Sequence, residues 1–177
     1  MSTESDAYAT HQNLKLAAKV LGMPWQTLYV KLKKQGVSVT GNKAMYGGPH
    51  DKLASHAESI FQGLVPCAQD KNHEKWQAKY DFMVGSQRVD VKASRKNRQS
   101  KRSEAMRWSF LFSKQTYECE FFCCFCLGEA DKVDHILLVP QEIVGAMQTM
   151  SVSCKSVSKW MDFEVAPQDL AAFFDSL

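Results

Sequence analysis

The chain has 177 residues, 45% of them hydrophobic and 23% charged, with a formal net charge of +3. That length suits one medium domain, or a small module followed by a larger one. The longest apolar runs, "FFCCFCL" and "ILLVP", fall far short of the roughly 20 residues that cross a bilayer. The polar, acidic start "MSTESDAYATHQ" lacks the basic-then-apolar pattern of a secretory signal. No membrane association and a cytoplasmic location are therefore expected.

Charge is unevenly spread. Residues 1–107 hold 18 Lys/Arg against 9 Asp/Glu, and residues 108–177 hold 4 against 10. A basic amino-terminal portion favours a polyanionic partner, unless folding intermixes the two halves.

The first strong pattern is "NLKLAAKVLGMPWQTLYVKLKKQGV", Asn13 to Val37. Leu14, Ala17, Ala18 and Leu21 follow helical spacing until Gly22 interrupts it. Pro24 suits the first turn of a second helix, which directs Leu28 and Leu32 inward and stops at Gly36. Ala18, Gly22 and Leu28 supply a small residue at a helix crossing, a turn glycine and an apolar anchor. The bland alternative is a helical hairpin with a solvated lysine-rich end. "AAKVLG" followed by "TLYVKLKKQGV" resembles the helix-turn-helix of the factor-for-inversion-stimulation type. That resemblance implies that Pro24, Trp25, Gln26, Tyr29, Lys33 and Lys34 face DNA. The module is assigned to residues 1–40. "SVTGNKAMYGGPHD" then reads as a linker, centred on residues 41–50, ahead of a second domain over 51–177.

From Asp51 an apolar stripe of Leu53, Ala54, Ala57, Ile60, Phe61 and Leu64 predicts a helix, with Glu58 at the edge of its buried face. "YDFMVGSQRVDVKAS" predicts a β-hairpin around a Gly85-Ser86 turn. In that register Tyr80, Phe82, Val84, Val89 and Val91 share one face. Lys79, Asp81, Met83, Arg88, Asp90 and Lys92 share the other, with Asp81 opposite Asp90. Like charges facing across a strand pair are destabilising. A divalent cation between them removes the repulsion, and hard carboxylate oxygens suit Mg²⁺. Lys92, on the same side as Asp90, is suited to steadying negative charge near that ion.

Helical Glu58, then Asp81, then "VDVKAS" with Asp90-Val91-Lys92, resemble the PD-(D/E)xK nuclease superfamily over most of residues 50–140. Tyr80 stands where that family has its nominal proline. The resemblance implies an α/β fold with a mixed central sheet flanked by helices. It also implies a Mg²⁺-dependent endonuclease in which Mn²⁺ substitutes. Asp81, Asp90 and the Val91 carbonyl would hold metal, Glu58 would be an auxiliary ligand or base, and Lys92 the catalytic lysine. Glu74 is the second choice for the auxiliary carboxylate. The basic run "SRKNRQSKR" and Arg107 place Arg95, Lys96, Arg98, Lys101, Arg102 and Arg107 along the DNA backbone, against the alternative of a solvated loop.

Further along, "RWSFLF", "FFCCFCL" and "HILLVP" read as core strands. Cys119 and Cys123 are expected on one face and Cys124 and Cys126 on the other. That divergence argues for buried thiols instead of a zinc site. In the tail "APQDLAAFFDSL", a helix should turn Leu170, Phe173, Phe174 and Leu177 inward. The combined expectation is a DNA endonuclease, site-specific or structure-specific, working as a homodimer or higher homo-oligomer. The alternative is a DNA-binding regulator on a nuclease-like scaffold.

Overall fold

The computed structural model describes residues 3–39, 47–72, 79–98, 100–102, 104–112, 118–155 and 158–177. Two compact units emerge, one from the described residues before Leu53 and one from Leu53 onward. No helix among the described residues is long and apolar enough to cross a membrane.

The first unit contains three helices: α1 (Thr3–His11), α2 (Leu14–Val20) and α3 (Trp25–Lys34). Asn13 starts α2 because its Oδ1 accepts the Leu16 N–H at 3.0 Å, which satisfies one of the amide donors a helix start leaves unpaired. The turn to α3 passes through Gly22 at φ +65°, a conformation most side chains resist. Tyr8, Ala17, Ala18, Leu28 and Leu32 form the core, so the small pair on α2 does sit where the helices cross. The polar segment before Asn13 has no predicted element, yet it forms α1. Besides Tyr8, it is held to α3 by a Glu4–Lys31 ion pair at 2.7 Å and by Ser5 Oγ donating to Gln35 Oε1 at 2.6 Å.

The second unit is built on a five-stranded mixed sheet. Its strands are β1 (Gln69–Asp70), β2 (Phe82–Val84), β3 (Gln87–Arg95), β6 (Phe121–Leu127) and β7 (Val133–Pro140), in that spatial order. The β3–β6 pair is parallel and the others antiparallel. Helix α4 (Pro49–Leu64), which begins inside the expected linker, buries Ala57 and Phe61 against one sheet face. Carboxy-terminal α6 (Leu170–Asp175) adds Leu170 and Phe174 there, beside Phe82, Val89, Val91, Cys123 and Phe125.

The other face departs from the expected helical layer. A second, antiparallel sheet covers it, formed by β4 (Asn97–Arg98), β5 (Met106–Leu111) and β8 (Thr149–Ser153). Trp108 and Phe110 from β5 and Met150 and Val152 from β8 pack on Phe122, Cys124 and Cys126 of β6 and on Leu137 and Val139 of β7. The reason is visible in β5, whose alternating aromatics give one strongly apolar face that has to be buried. The short helix α5 (Gln141–Val144) buries Val144 in the same layer.

Two side-chain expectations are corrected. Cys119 precedes β6 and packs with Cys124 and Cys126, leaving Cys123 on the opposite face, since strand alternation does not extend past the strand end. Leu177 lies beyond α6 and is exposed.

Phe61 is fully buried with its ring 4.9 Å from that of Phe82 and 6.2 Å from that of Phe174. Phe61→Ala is expected to destabilise the second unit by about 3–5 kcal/mol, measured by chemical denaturation.

Candidate active site

Gly85, at φ +58°, turns the chain between β2 and β3. The pairs Phe82↔Val89, Met83↔Arg88 and Val84↔Gln87 then follow the register expected from binary patterning. The ladder stops at Phe82, so Asp81 does not continue it as Asp90's direct partner. Every polar group of Asp81 is instead bonded locally. Its N–H donates to the Val89 carbonyl at 3.0 Å, and its carbonyl accepts the Lys71 N–H at 2.8 Å. Its Oδ2 accepts the Val91 N–H at 2.7 Å and its Oδ1 accepts Asn72 Nδ2 at 3.1 Å. A side-chain oxygen thus fills a place on β3 that a strand carbonyl would take. The interruption also moves Tyr80 off the expected Phe82–Val84 face and against the second-sheet layer.

Asp90 points to the face opposite Val89 and Val91 and is only 5% exposed, which for a carboxylate demands a compensating charge. Lys92 provides it. Nζ lies 2.6 Å from Asp90 Oδ2, with the lysine side chain still partly open to solvent. The ammonium is the charge that faces this buried oxygen among the described residues. Burial first, and the Asp81 charge second, push the Asp90 carboxyl up to about 6, with Lys92 opposing both. Buried Cys119 and Cys124 are close enough to feel the Asp90 and Lys92 charges.

The structure therefore gathers Asp81, just before β2, with Asp90 and Lys92 in the middle of β3. Glu58 is on α4, which packs its Ala57 and Phe61 on the other face of the sheet, with Val89 and Val91. Among the described residues no three His, Cys, Asp or Glu side chains are placed together to hold a metal. Glu74 falls outside the described residues. The Val91 N–H is committed to Asp81.

The basic positions divide into two groups. Arg95 is engaged by Asp131, with Nε–Oδ1 at 2.5 Å and Nη2–Oδ2 at 2.7 Å. Lys96 pairs with Asp134 at 2.6 Å and lies 5.2 Å from the centre of the Trp108 ring. Arg98, Lys101 and Arg102 are exposed and Arg107 is partly so. On the first unit Pro24 precedes α3, and Trp25, Gln26, Tyr29, Lys33 and Lys34 lie on its exposed surface, Lys33 Nζ 5.9 Å from the Tyr29 ring centre. Lys31 of the same lysine cluster is paired with Glu4.

Sequence reading missed two features beside the carboxylates. Asn72 lies in a polar run without periodicity, so nothing there signals its contact with Asp81. Arg88, on the Asp90 side of β3, grips Glu120 through Nε at 3.0 Å and through Nη2, while its backbone N–H reaches the same carboxylate at 2.6 Å. The 32 residues separating that pair hide it from local patterning.

No family model and no curated protein matches the sequence. Among solved structures, a bacterial homing endonuclease is similar at 8% identity with a TM-score of 0.48, over 73% of this chain and 94% of that one. A likeness so slight carries no argument about fold or activity.

The elevated Asp90 carboxyl makes a signed prediction for the metal-free protein. Below about pH 4 the group is protonated in both folded and unfolded chains and burial costs little. As pH rises through about 6 the folded chain must hold the charge, and stability falls by about 3 kcal/mol at most. Asp90→Asn removes that penalty. Its stability relative to wild type should rise by about 1–3 kcal/mol between pH 4 and pH 7.5, read by denaturant titration at the two values.

Proposed function

We propose that the chain is a divalent-metal-dependent nuclease that hydrolyses phosphodiester bonds in DNA. The observation that carries this reading is the Lys92 ammonium held 2.6 Å from a buried Asp90 carboxylate, with the Asp81 carboxylate acting on the same group. Simple stability gives little reason to bury such a set, because taking each of these ions out of water costs several kcal/mol that pairing need not fully repay.

Asp90 is buried with the Asp81 charge acting on it and a single ammonium at its Oδ2, an excess of negative charge that a hard cation would relieve. Two carboxylates fit Mg²⁺, which keeps several of its waters and needs only one or two acidic ligands besides substrate phosphate. Asp81 and Asp90 would hold the ion, with the Val91 carbonyl as a further oxygen, and Mn²⁺ would substitute. Glu58 has no part in the proposal. When bound, the ion would supply Lewis acidity to the phosphate and a more acidic water.

The chain's own residues do the rest. Asp90 must be ionised to serve, and the adjacent ammonium favours that charged form. Lys92, fixed by the ion pair yet partly solvent-facing, presents N–H donors to negative charge building on phosphoryl oxygens, where a pre-oriented donor is most effective. Arg98, Lys101, Arg102 and Arg107 would follow the DNA backbone, and α3 would tether the enzyme to duplex through Trp25, Gln26, Tyr29, Lys33 and Lys34. Whether addresses are sequences or branched structures is decided by the cleavage pattern on long duplex, discrete bands favouring the former. A non-catalytic DNA-binding scaffold is the second reading, favoured by the lack of a third gathered acid among the described residues.

Supercoiled plasmid and branched DNA should be cut in Mg²⁺ or Mn²⁺. Asp90→Ala and Lys92→Ala should each lower the rate at least about 100-fold, and cutting undiminished in both would refute the assignment. A binding measurement separates the basic residues. Replacing Arg98, Lys101 and Arg102 by Ala should flatten the dependence of log affinity on log salt by about 2–3 units. Replacing Arg95 and Lys96, already paired to acids, should change that slope far less.

A further inference from the structure

We infer that Asn72 is a positioning residue for Asp81: its carboxamide fixes the orientation in which that carboxylate meets a divalent cation. The inference rests on the nuclease reading above and assigns a role to a residue outside its motif.

The segment from β1 to Asn72 is built around Asp81. β1 has only two residues, pairing Gln69 with Met83 and Asp70 with Phe82, and so ends level with the point where the β2 ladder stops. The chain then turns, with Asp70 Oδ1 accepting the Asn72 N–H at 2.8 Å. That turn brings the Lys71 N–H to the Asp81 carbonyl at 2.8 Å and Asn72 Nδ2 to Asp81 Oδ1 at 3.1 Å. One three-residue segment thus grips both the backbone and the side chain of one acid.

The chemistry of the grip is specific. Oδ2 is set by the Val91 N–H, so a second donor on Oδ1 removes the remaining freedom to rotate the carboxylate about its Cβ–Cγ bond. Both donors are neutral. A lysine or arginine in place of Asn72 would hold the carboxylate equally well but would cancel the charge a cation needs. An ionised carboxylate offers about four lone-pair sites, so these two donors do not by themselves exhaust it. Partners that orient a ligating group in this way typically affect metal affinity by about 10–100-fold.

The test uses the full chain with Asn72→Ala and Asn72→Leu, the latter close to asparagine in volume but without a donor. Both keep the backbone N–H bond to Asp70 on which the turn depends. Mn²⁺ binding is titrated directly by the loss of the free-ion electron paramagnetic resonance signal, alongside melting temperature and plasmid cleavage over a range of Mn²⁺ concentrations. Both variants should bind Mn²⁺ about 10-fold or more weakly, melt near wild type, and recover most of the cleavage rate at saturating Mn²⁺. Asp81→Asn should not bind measurably. A lowered melting temperature with unchanged Mn²⁺ affinity would make Asn72 a structural residue only and overturn the inference. Wild type that binds and cuts, with both Asn72 variants matching its affinity, overturns the inference alone. Wild type that neither binds Mn²⁺ nor cuts DNA overturns the nuclease reading as well.

Discussion

A carboxylate inside a strand covered on both faces is the constraint around which the second unit is arranged. Asp90 lies between Val89 and Val91, which enter the helix-covered core, and it points toward the layer closed by the second sheet. Little of the carboxylate reaches water, so charge there requires help from within the protein. Lys92 supplies it two residues along, on the same side of the strand, while Asp81, just before the neighbouring β2, raises the cost. The result is one unit of positive charge against two of negative in a largely buried place. The apolar layers on either side hold this electrostatic imbalance in place.

Much of that arrangement was readable from the chain. Alternation in "FMV" and "RVDV", with a glycine between them, set the hairpin register because a slip of one residue would have turned Val89 and Val91 outward. The stripe on α4 and the Ala18–Gly22–Leu28 spacing were equally legible, since each depends on neighbours within two helical turns. The same alternation puts Asp90 and Lys92 on one side of β3, where their side chains meet.

What escaped depends on contacts distant in sequence or on exceptions to periodicity. Asp81 lies one residue past the ladder, where a side chain replaces a backbone acceptor, and alternation cannot foresee that substitution. The same break sends Tyr80 to the other layer. Arg95 and Lys96 look like free cations in the run "SRKNRQSKR", yet Asp131 and Asp134, more than thirty residues later, have claimed them. The strand "RWSFLF" was recognised, but its membership of a separate sheet depends on β8. Helix α1 escaped for another reason. Its only buried residue is Tyr8, and a single tyrosine makes no stripe.

The cysteines of β6 have a consequence of their own. Cys123, Cys124 and Cys126 are fully buried in a strand paired on both edges, and burial pushes all three thiols upward, leaving almost no thiolate at neutral pH. An alkylating reagent meets exposed Cys67 at once but reaches these three only when the middle of the sheet parts. Their labelling rate is therefore a built-in clock for opening of the core, set by how often β6 separates from its neighbours.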